Sequence, residues 1–530
     1  MGPPIIGAAA RAQPGGWHRF SMAQKKRFPS TTVTTGAAVS LLLSVVLTAG
    51  CRNRSEPVAS TGAILRVGFG IGATGRPSGL DVLTDLLYAE PLIGHDWNGR
   101  PVPALAESWQ WNPERTTVRI TLKPNVKFHN GAPVTAQSVV RFLNQRRKGK
   151  LGFVYVTEVT ADAGRTIVIR LSRPDAFLLP ELTDLRITHP DAPDISTGPF
   201  MLASRSPVVQ VIRFDDYHGG KSPLAGVRIV TYDSHRSAWA ALMRQEVDVV
   251  QEVSRESVEF MEGATNVKTY TALQSFYLYL SLNQRNPALR HVEVRRAIAQ
   301  ALDRKAIIDR ALRGKGRVAE APVWPYHWAY VPPKDKDSFN PDAARRLLDS
   351  AGFPMRPTRQ TGERSTRFTL KCLVWSEDPQ FERIGQIVQR QLFEVGINLE
   401  IELVTLAALT DRAGRGDYDT YLIQANAGRA IDYTYRFWRS SGAANAATQQ
   451  SGYSGADAAL DRLRHSTSDD ETREAVAAVV KQFHDDAPAA FIAWLEVTRA
   501  VDARFDVGDS KALDPFINMW QWRPTASAAK

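Results

Sequence analysis

Ser454 lies in Gly452-Tyr453-Ser454-Gly455-Ala456, close to the spacing that exposes a nucleophilic serine on a strand-to-helix turn. The closing glycine of that pattern is missing. Gly70-Ile71-Gly72-Ala73-Thr74-Gly75 matches the spacing of a phosphate-cradling loop. That chemistry needs a helix to open at once so that its N-terminus faces the phosphates. Here Arg76-Pro77-Ser78-Gly79 prolongs the loop instead. The chain has 10 histidines, but none forms an HExxH or a His-x-x-x-His pair, and His129 sits in an expected hairpin. Asp469-Asp470 and Asp485-Asp486 are adjacent carboxylates, whose side chains diverge on a helix and cannot flank one scissile bond. No catalytic constellation, metal site or cofactor is expected.

The elements that must position any site read as alternating strands and helices. Ile64–Phe69, Thr117–Leu122, Thr166–Leu171, Gly226–Tyr232, Phe276–Leu282, Phe368–Trp375, Asn398–Leu403 and Tyr418–Gln424 carry strand patterns. In Thr117–Leu122 the alternation points Val118, Ile120 and Leu122 inward. Thr135 is placed to cap a helix with Val139, Phe142 and Leu143 on one face. Helical spacing recurs in Ser237–Gln245, Val292–Leu302, Pro341–Ala351, Phe381–Val395 and Arg473–Phe483, and Asp303 is placed to cap a further helix through Leu312. The alternation predicts layered α/β units with largely parallel sheets.

The first 50 residues read as an address rather than as structure. Lys25, Lys26 and Arg27 precede the uncharged run Gly36–Leu47, and small residues lead to Cys51. The run is shorter than the ~18 apolar residues of a membrane span. Leu47-Thr48-Ala49-Gly50-Cys51 resembles the lipobox of bacterial lipoproteins, which implies lipidation at Cys51 and a mature N-terminus there. Met22 starts a better signal peptide than Met1 does. Lipidation of Cys51 would leave Cys372 as the one remaining cysteine, expected to be an inert core residue with no disulfide partner. The leader carries five basic residues and no acid, leaving +6 of the formal +11 on the remainder. Without a clustered basic stripe, nucleic-acid binding is not expected.

Ala104-Leu105-Ala106-Glu107-Ser108-Trp109 and Val126-Lys127-Phe128-His129-Asn130-Gly131-Ala132-Pro133-Val134-Thr135-Ala136 carry a resemblance. Ser196-Thr197-Gly198-Pro199-Phe200, Glu246-Val247-Asp248, Tyr279–Asn283 and Val294-Arg295-Arg296-Ala297-Ile298 through Ile307 continue it. Together they are similar to family 5 extracellular solute-binding proteins, the peptide/nickel/oligopeptide class of ABC-importer receptors. The resemblance implies an α/β, periplasmic binding protein-like II (cluster C) fold, with two lobes around a ligand cleft and hinge crossings. By analogy, 1–50 is a signal peptide, 51–62 a tether, 63–272 lobe I with a subdomain at 81–194, 273–490 lobe II and 491–530 the return to lobe I. Hinge crossings fall near Ser275–Asn283 and Pro488–Glu496. The implied function is capture of a peptide-like or other small organic solute and delivery to ABC permease subunits, from the periplasm or the outer face of the cell membrane. A monomer is expected. An envelope sensor or scaffold on the same fold, or a lipid-anchored hydrolase, are the alternative readings.

In peptide-binding members of that family an aspartate after the strand matching Tyr418–Gln424 pairs with the ligand amine. Here the segment reads Ala425-Asn426-Ala427-Gly428-Arg429-Ala430-Ile431-Asp432-Tyr433, with Gly428 at the aspartate's place. Asp432 can take the amine role after a loop shift. Alternatively the role is lost and Arg429 suits an anionic or neutral ligand, which is the preferred reading. Arg429 and Asp432 can instead pair with each other. Trp324, Trp328, Trp375 and Tyr433 are candidate aromatic walls, Asn426 a candidate polar contact, and His327 the candidate contact for a metal chelate.

Overall fold

The computed structural model describes residues 62–70, 79–258, 264–333, 339–355, 365–440, 450–508 and 514–525. The leader, Cys51, nearly all of the tether and Ile71–Gly75 of the glycine-rich loop lie outside them. The first described helix after that loop is Leu80–Tyr88. Among the described residues, no helix is long and apolar enough to cross a membrane.

Ala63–Gly70 buries Leu65, Val67 and Phe69 and pairs in parallel with Leu224–Tyr232, Leu65 opposite Val227. These strands lie within an 11-stranded sheet. Its order from one edge is Phe200–Ser204, Val209–Arg213, Leu224–Tyr232, Ala63–Gly70, Val249–Val250, Ala489–Asp502, Val267–Leu282, Thr420–Asn426, Phe368–Trp375 and Ile397–Val404. Gly316–Val318 pairs with Ala489–Asp502 off that path. The sheet is mixed, which corrects the expectation of largely parallel sheets. Phe200–Ser204 returns directly into Val209–Arg213, and so short a connection permits only antiparallel pairing.

Two strands set the layout. Val267–Leu282 and Ala489–Asp502 run antiparallel along most of their length, from Val267 opposite Asp502 to Ser281 opposite Ala489. The ladder shifts register between Leu273 and Tyr277 and again between Leu278 and Tyr279. Val267–Leu282 starts well before the expected Phe276 because its first half is polar and partly exposed, so its strand character comes from its partner. One face of the later half packs Leu278, Leu280 and Leu282 against the helices Val292–Ala301 and Pro379–Glu394. In the same core Cys372 is buried, and burial pushes its thiol up to about 12.

A second, antiparallel sheet has the order Ala106–Trp111, Thr117–Leu122, Thr166–Leu171, Val156–Ala161. Val118, Ile120 and Leu122 face its core as the alternation predicts. The helix Ala136–Arg146 covers it, started by Thr135, whose hydroxyl accepts from the Ser138 N–H while Ser138 reaches back.

This smaller layer is anchored to the later part of the chain. Arg464 and Asp175 pair at 2.7 Å with side-chain exposures of 3% and 0%. Arg464 also donates to the Leu151 carbonyl and lies over Tyr155 and Tyr435. Phe177 packs edge-on against Tyr435 at 5.1 Å. Removing one partner of a fully desolvated pair strands the other's charge, a cost of about 3–5 kcal/mol. Arg464→Ala is expected to lower the urea unfolding free energy by that amount, measured against an exposed control such as Arg146→Ala, which should change it by less than about 0.5 kcal/mol.

Candidate functional site

The segment after the strand Thr420–Asn426 turns sharply. The Ala427 N–H donates to the Ser275 carbonyl at 2.7 Å, and the Gly428 N–H to Asn426 Oδ1 at 2.9 Å. Asn426 Oδ1 also accepts from the Ser275 hydroxyl, so this exposed side chain organises the turn. Gly428 has φ +59°, and a Cβ there would collide with the Tyr433 ring. Gly428 therefore cannot be exchanged for a residue with a side chain while Tyr433 keeps its place. The Tyr433 hydroxyl donates to Asp184 at 3.0 Å.

A hairpin tip closes over this turn. Ile93–His95 pairs with Pro101–Pro103, and Asp96 Oδ1 accepts from the Asn98 and Arg100 N–H groups at 2.8 Å. Gly99, at φ +77°, lies so near the Arg429 carbonyl oxygen that an added Cβ would clash. The tip presents Trp97. Its ring meets Trp324 at 5.3 Å and Tyr326 at 6.1 Å, and its carbonyl accepts from Trp324 Nε1 at 2.9 Å. The Trp328 N–H donates to the Asn98 carbonyl, and Arg100 stacks on the Trp328 ring at 3.4 Å while pairing with Asp469. Trp97 and Arg100 were not singled out from the sequence. Their signal was turn chemistry, Asp96, Asn98 and Gly99 bracketing an aromatic residue.

The candidate residues divide into a structural set and an available set. Asp432 is fully buried and accepts from Arg436 Nε at 2.8 Å, while Arg436 also reaches Glu181 at 2.6 Å. Arg429 and Asp432 are thus not paired with each other. Burial holds the Asp432 carboxyl above the usual carboxylate range, against the opposing pull of Arg436. Its Oδ1 has no hydrogen-bond partner among the described residues. Trp324 is 2% exposed, and its N–H is already spent. Trp375 is half-buried, meets the Phe381 ring at 5.0 Å and donates to Glu377. His327 is buried, and its Nδ1 accepts from the Ala329 N–H at 3.2 Å. Burial, then the charge of Arg100, lowers its pKa to about 4. The available set is Arg429, Trp328, Tyr433 and the exposed Tyr326 and Asn426. Arg429 rests on the Trp97 ring, 4.2 Å from its centroid. Among the described residues, no group of three or more His, Cys, Asp or Glu side chains could hold a metal ion. Ser454 is exposed at the turn leading into the helix Asp457–Arg464.

Two measurements check this packing. Gly99→Ala forces a side chain against the Arg429 carbonyl in a left-handed backbone, and is expected to cost more than about 1 kcal/mol in denaturant unfolding. His327 binds its proton less readily folded than unfolded, so its share of stability is present above about 6.5 and is lost as pH falls toward about 4. Unfolding free energies measured from pH 7 to 4 should fall by up to about 3 kcal/mol more in the native chain than in His327→Leu.

The fold and much of the chain match known proteins. The family model described as bacterial extracellular solute-binding proteins, family 5 Middle, matches residues 100–446. The probable D,D-dipeptide-binding periplasmic protein DdpA of Escherichia coli (strain K12) is 28% identical over 342 residues, covering 59% of this chain and 63% of that protein. The oligopeptide-binding protein AppA of Bacillus subtilis (strain 168) is 26% identical over 333 residues, covering 57% of this chain and 60% of that protein. The chain thus spans somewhat under two thirds of these relatives' length. The crystal structure of the ABC transporter substrate binding protein CtaP from Listeria monocytogenes superposes with a TM-score of 0.76 at 21% identity, over 88% of this chain and 99% of that chain. That likeness is one of fold, a mixed α/β architecture of the periplasmic binding protein type. With residues 100–446 matched to its model, the chain belongs to the family 5 bacterial extracellular solute-binding proteins, a family of solute-binding proteins and not of enzymes.

Proposed function

We propose that this chain captures a small organic or peptide-like solute outside the cytoplasm and delivers it to the permease of an ABC importer, making and breaking no covalent bond. The match of residues 100–446 to the family carries this reading. In the proposed division, residues 63–272 and 491–530 form lobe I, with a subdomain at 81–194, and residues 273–490 form lobe II. The two long strands are then the crossings. The register shift between Leu273 and Tyr277 supports a bending point there, since it interrupts the ladder between the expected lobes.

The proposed mechanism is a shift of population. A solute touching both lobes binds the closed arrangement better than the open one and draws the molecule shut by the difference in affinity. The seam that would shut lies between the hairpin tip around Trp97 and the turn around Arg429. The closed surface is then what the permease reads. Cys51 is proposed as the lipid-bearing residue, which would hold the receptor close to that permease and raise its effective concentration there.

The test is small-angle scattering on purified protein, first stripped of carried solute by unfolding and refolding. Returning the released solute, identified by mass spectrometry, should lower the radius of gyration in proportion to occupancy. An unchanged profile at saturation would overturn closure as the mechanism.

A further inference from the structure

Several cations on the elements around the Arg429 turn are matched by acids. Arg436 is held by Asp432 and Glu181, Arg464 by Asp175 and Arg100 by Asp469. Arg429 differs. Its guanidinium lies over the Trp97 ring, and among the described residues no carboxylate or carbonyl accepts a hydrogen bond from it. Asp514, the acid whose field reaches it, is already forked by Arg499, whose Nε lies 2.7 Å from Asp514 Oδ1. Burial disfavours its charge and the field of Asp514 only partly offsets this, yet an arginine stays protonated in a protein. Ring stacking satisfies one face of the guanidinium and none of its five N–H donors. Arg317 stands 5.4 Å from the centroid of Tyr326, the ring next to Trp97, and it too forms no ion pair among the described residues. Two cations lacking anions therefore flank one aromatic cluster.

Resting on the receptor reading above, we propose that the captured solute is an organic acid whose carboxylate is received by the Arg429 guanidinium, with its apolar body against Trp97, Tyr326 and Trp328. A guanidinium held over a ring still has its N–H donors to offer, and bidentate pairing with a planar carboxylate uses two of them. The rings beside it favour an amphipathic organic acid over a small inorganic anion. Closing the site around the anion removes water from an otherwise uncompensated cation, so the same contact that selects the solute also favours closure.

The experiment is calorimetric titration of the stripped chain with matched probes: N-acetyl amino acids and dipeptides as free acids, and the same compounds as methyl esters. Loss of a charge-assisted hydrogen-bonded pair corresponds to about 10–100-fold in affinity. Free acids should bind tighter than esters by that factor. Arg429→Gln should bring the ratio close to 1, and Arg429→Lys should retain part of it. Esters binding as tightly as acids, or a preference that survives in folded Arg429→Gln, overturns the assignment. If that variant does not fold, Arg429→Lys and Arg317→Gln decide: a ratio unchanged in Arg429→Lys, or abolished in Arg317→Gln, overturns the assignment. Binding without preference overturns the carboxylate alone, leaving the receptor reading intact. Failure of every probe to bind overturns the carboxylate assignment, and the scattering experiment then judges the receptor reading separately.

Discussion

Val267–Leu282 and Ala489–Asp502 lie more than two hundred residues apart in the chain, yet each supplies the other's backbone hydrogen bonds inside the large sheet. A buried peptide group without a partner costs about as much as a lost hydrogen bond, so neither strand can shift alone. Their side chains reinforce the ladder. The Thr271 and Thr498 hydroxyls lie 2.9 Å apart, and the Tyr277 and Trp494 rings meet at 5.5 Å. Every other strand of the sheet is placed by its relation to this pair. One half of the sheet joins through Val249–Val250 and the other through Thr420–Asn426.

Because Thr420–Asn426 is registered against Phe276–Leu282, the turn that follows it has a defined place. The Ser275 carbonyl and hydroxyl bind the turn at its start, and the Gly99 approach to Arg429 bounds it on the far side. Desolvation then sorts the charges brought there. Those in the interior are neutralised by partners, as Arg464 and Asp175 are, or by deprotonation, as burial and Arg100 achieve for His327. Arg429 departs from that pattern, lying over Trp97 with no acid among the described residues to neutralise it. Burial of Asp432 against Arg436 makes the acid a structural tie between the turn and the helix Leu178–Asp184, through Glu181.

Elements with self-contained patterns were legible in sequence. Phe368–Trp375 and the Thr135 cap have the expected bounds because their signals, an apolar segment broken only by Thr369 and Lys371 and a hydroxyl before a helical face, are local. Val267–Thr271 was not legible as strand. Its alternation of Lys268, Tyr270 and threonines is polar, and the pairing that makes it a strand comes from residues more than two hundred positions away. The direction of strands was misjudged for a related reason. Alternation of strand and helix suggests crossovers, but it does not reveal where a hairpin returns. Among the site residues, the motif pointed to Gly428, Arg429 and Asp432. It could not say that Asp432 would turn inward to Arg436 while Arg429 turned to Trp97.

By itself the sequence determined the family and the kind of fold, because linear motifs such as Ala104–Trp109 and Val126–Ala136 survive as strings of residues. It also determined that a glycine and an arginine, Gly428 and Arg429, follow the strand Thr420–Asn426, since identity at a position needs no coordinates. Tertiary structure decided which charges are spent and which remain available. Whether an arginine finds an acid depends on distances between segments as far apart as Trp97 and Arg429. Such distances are set by backbone ladders and packing that no local pattern encodes.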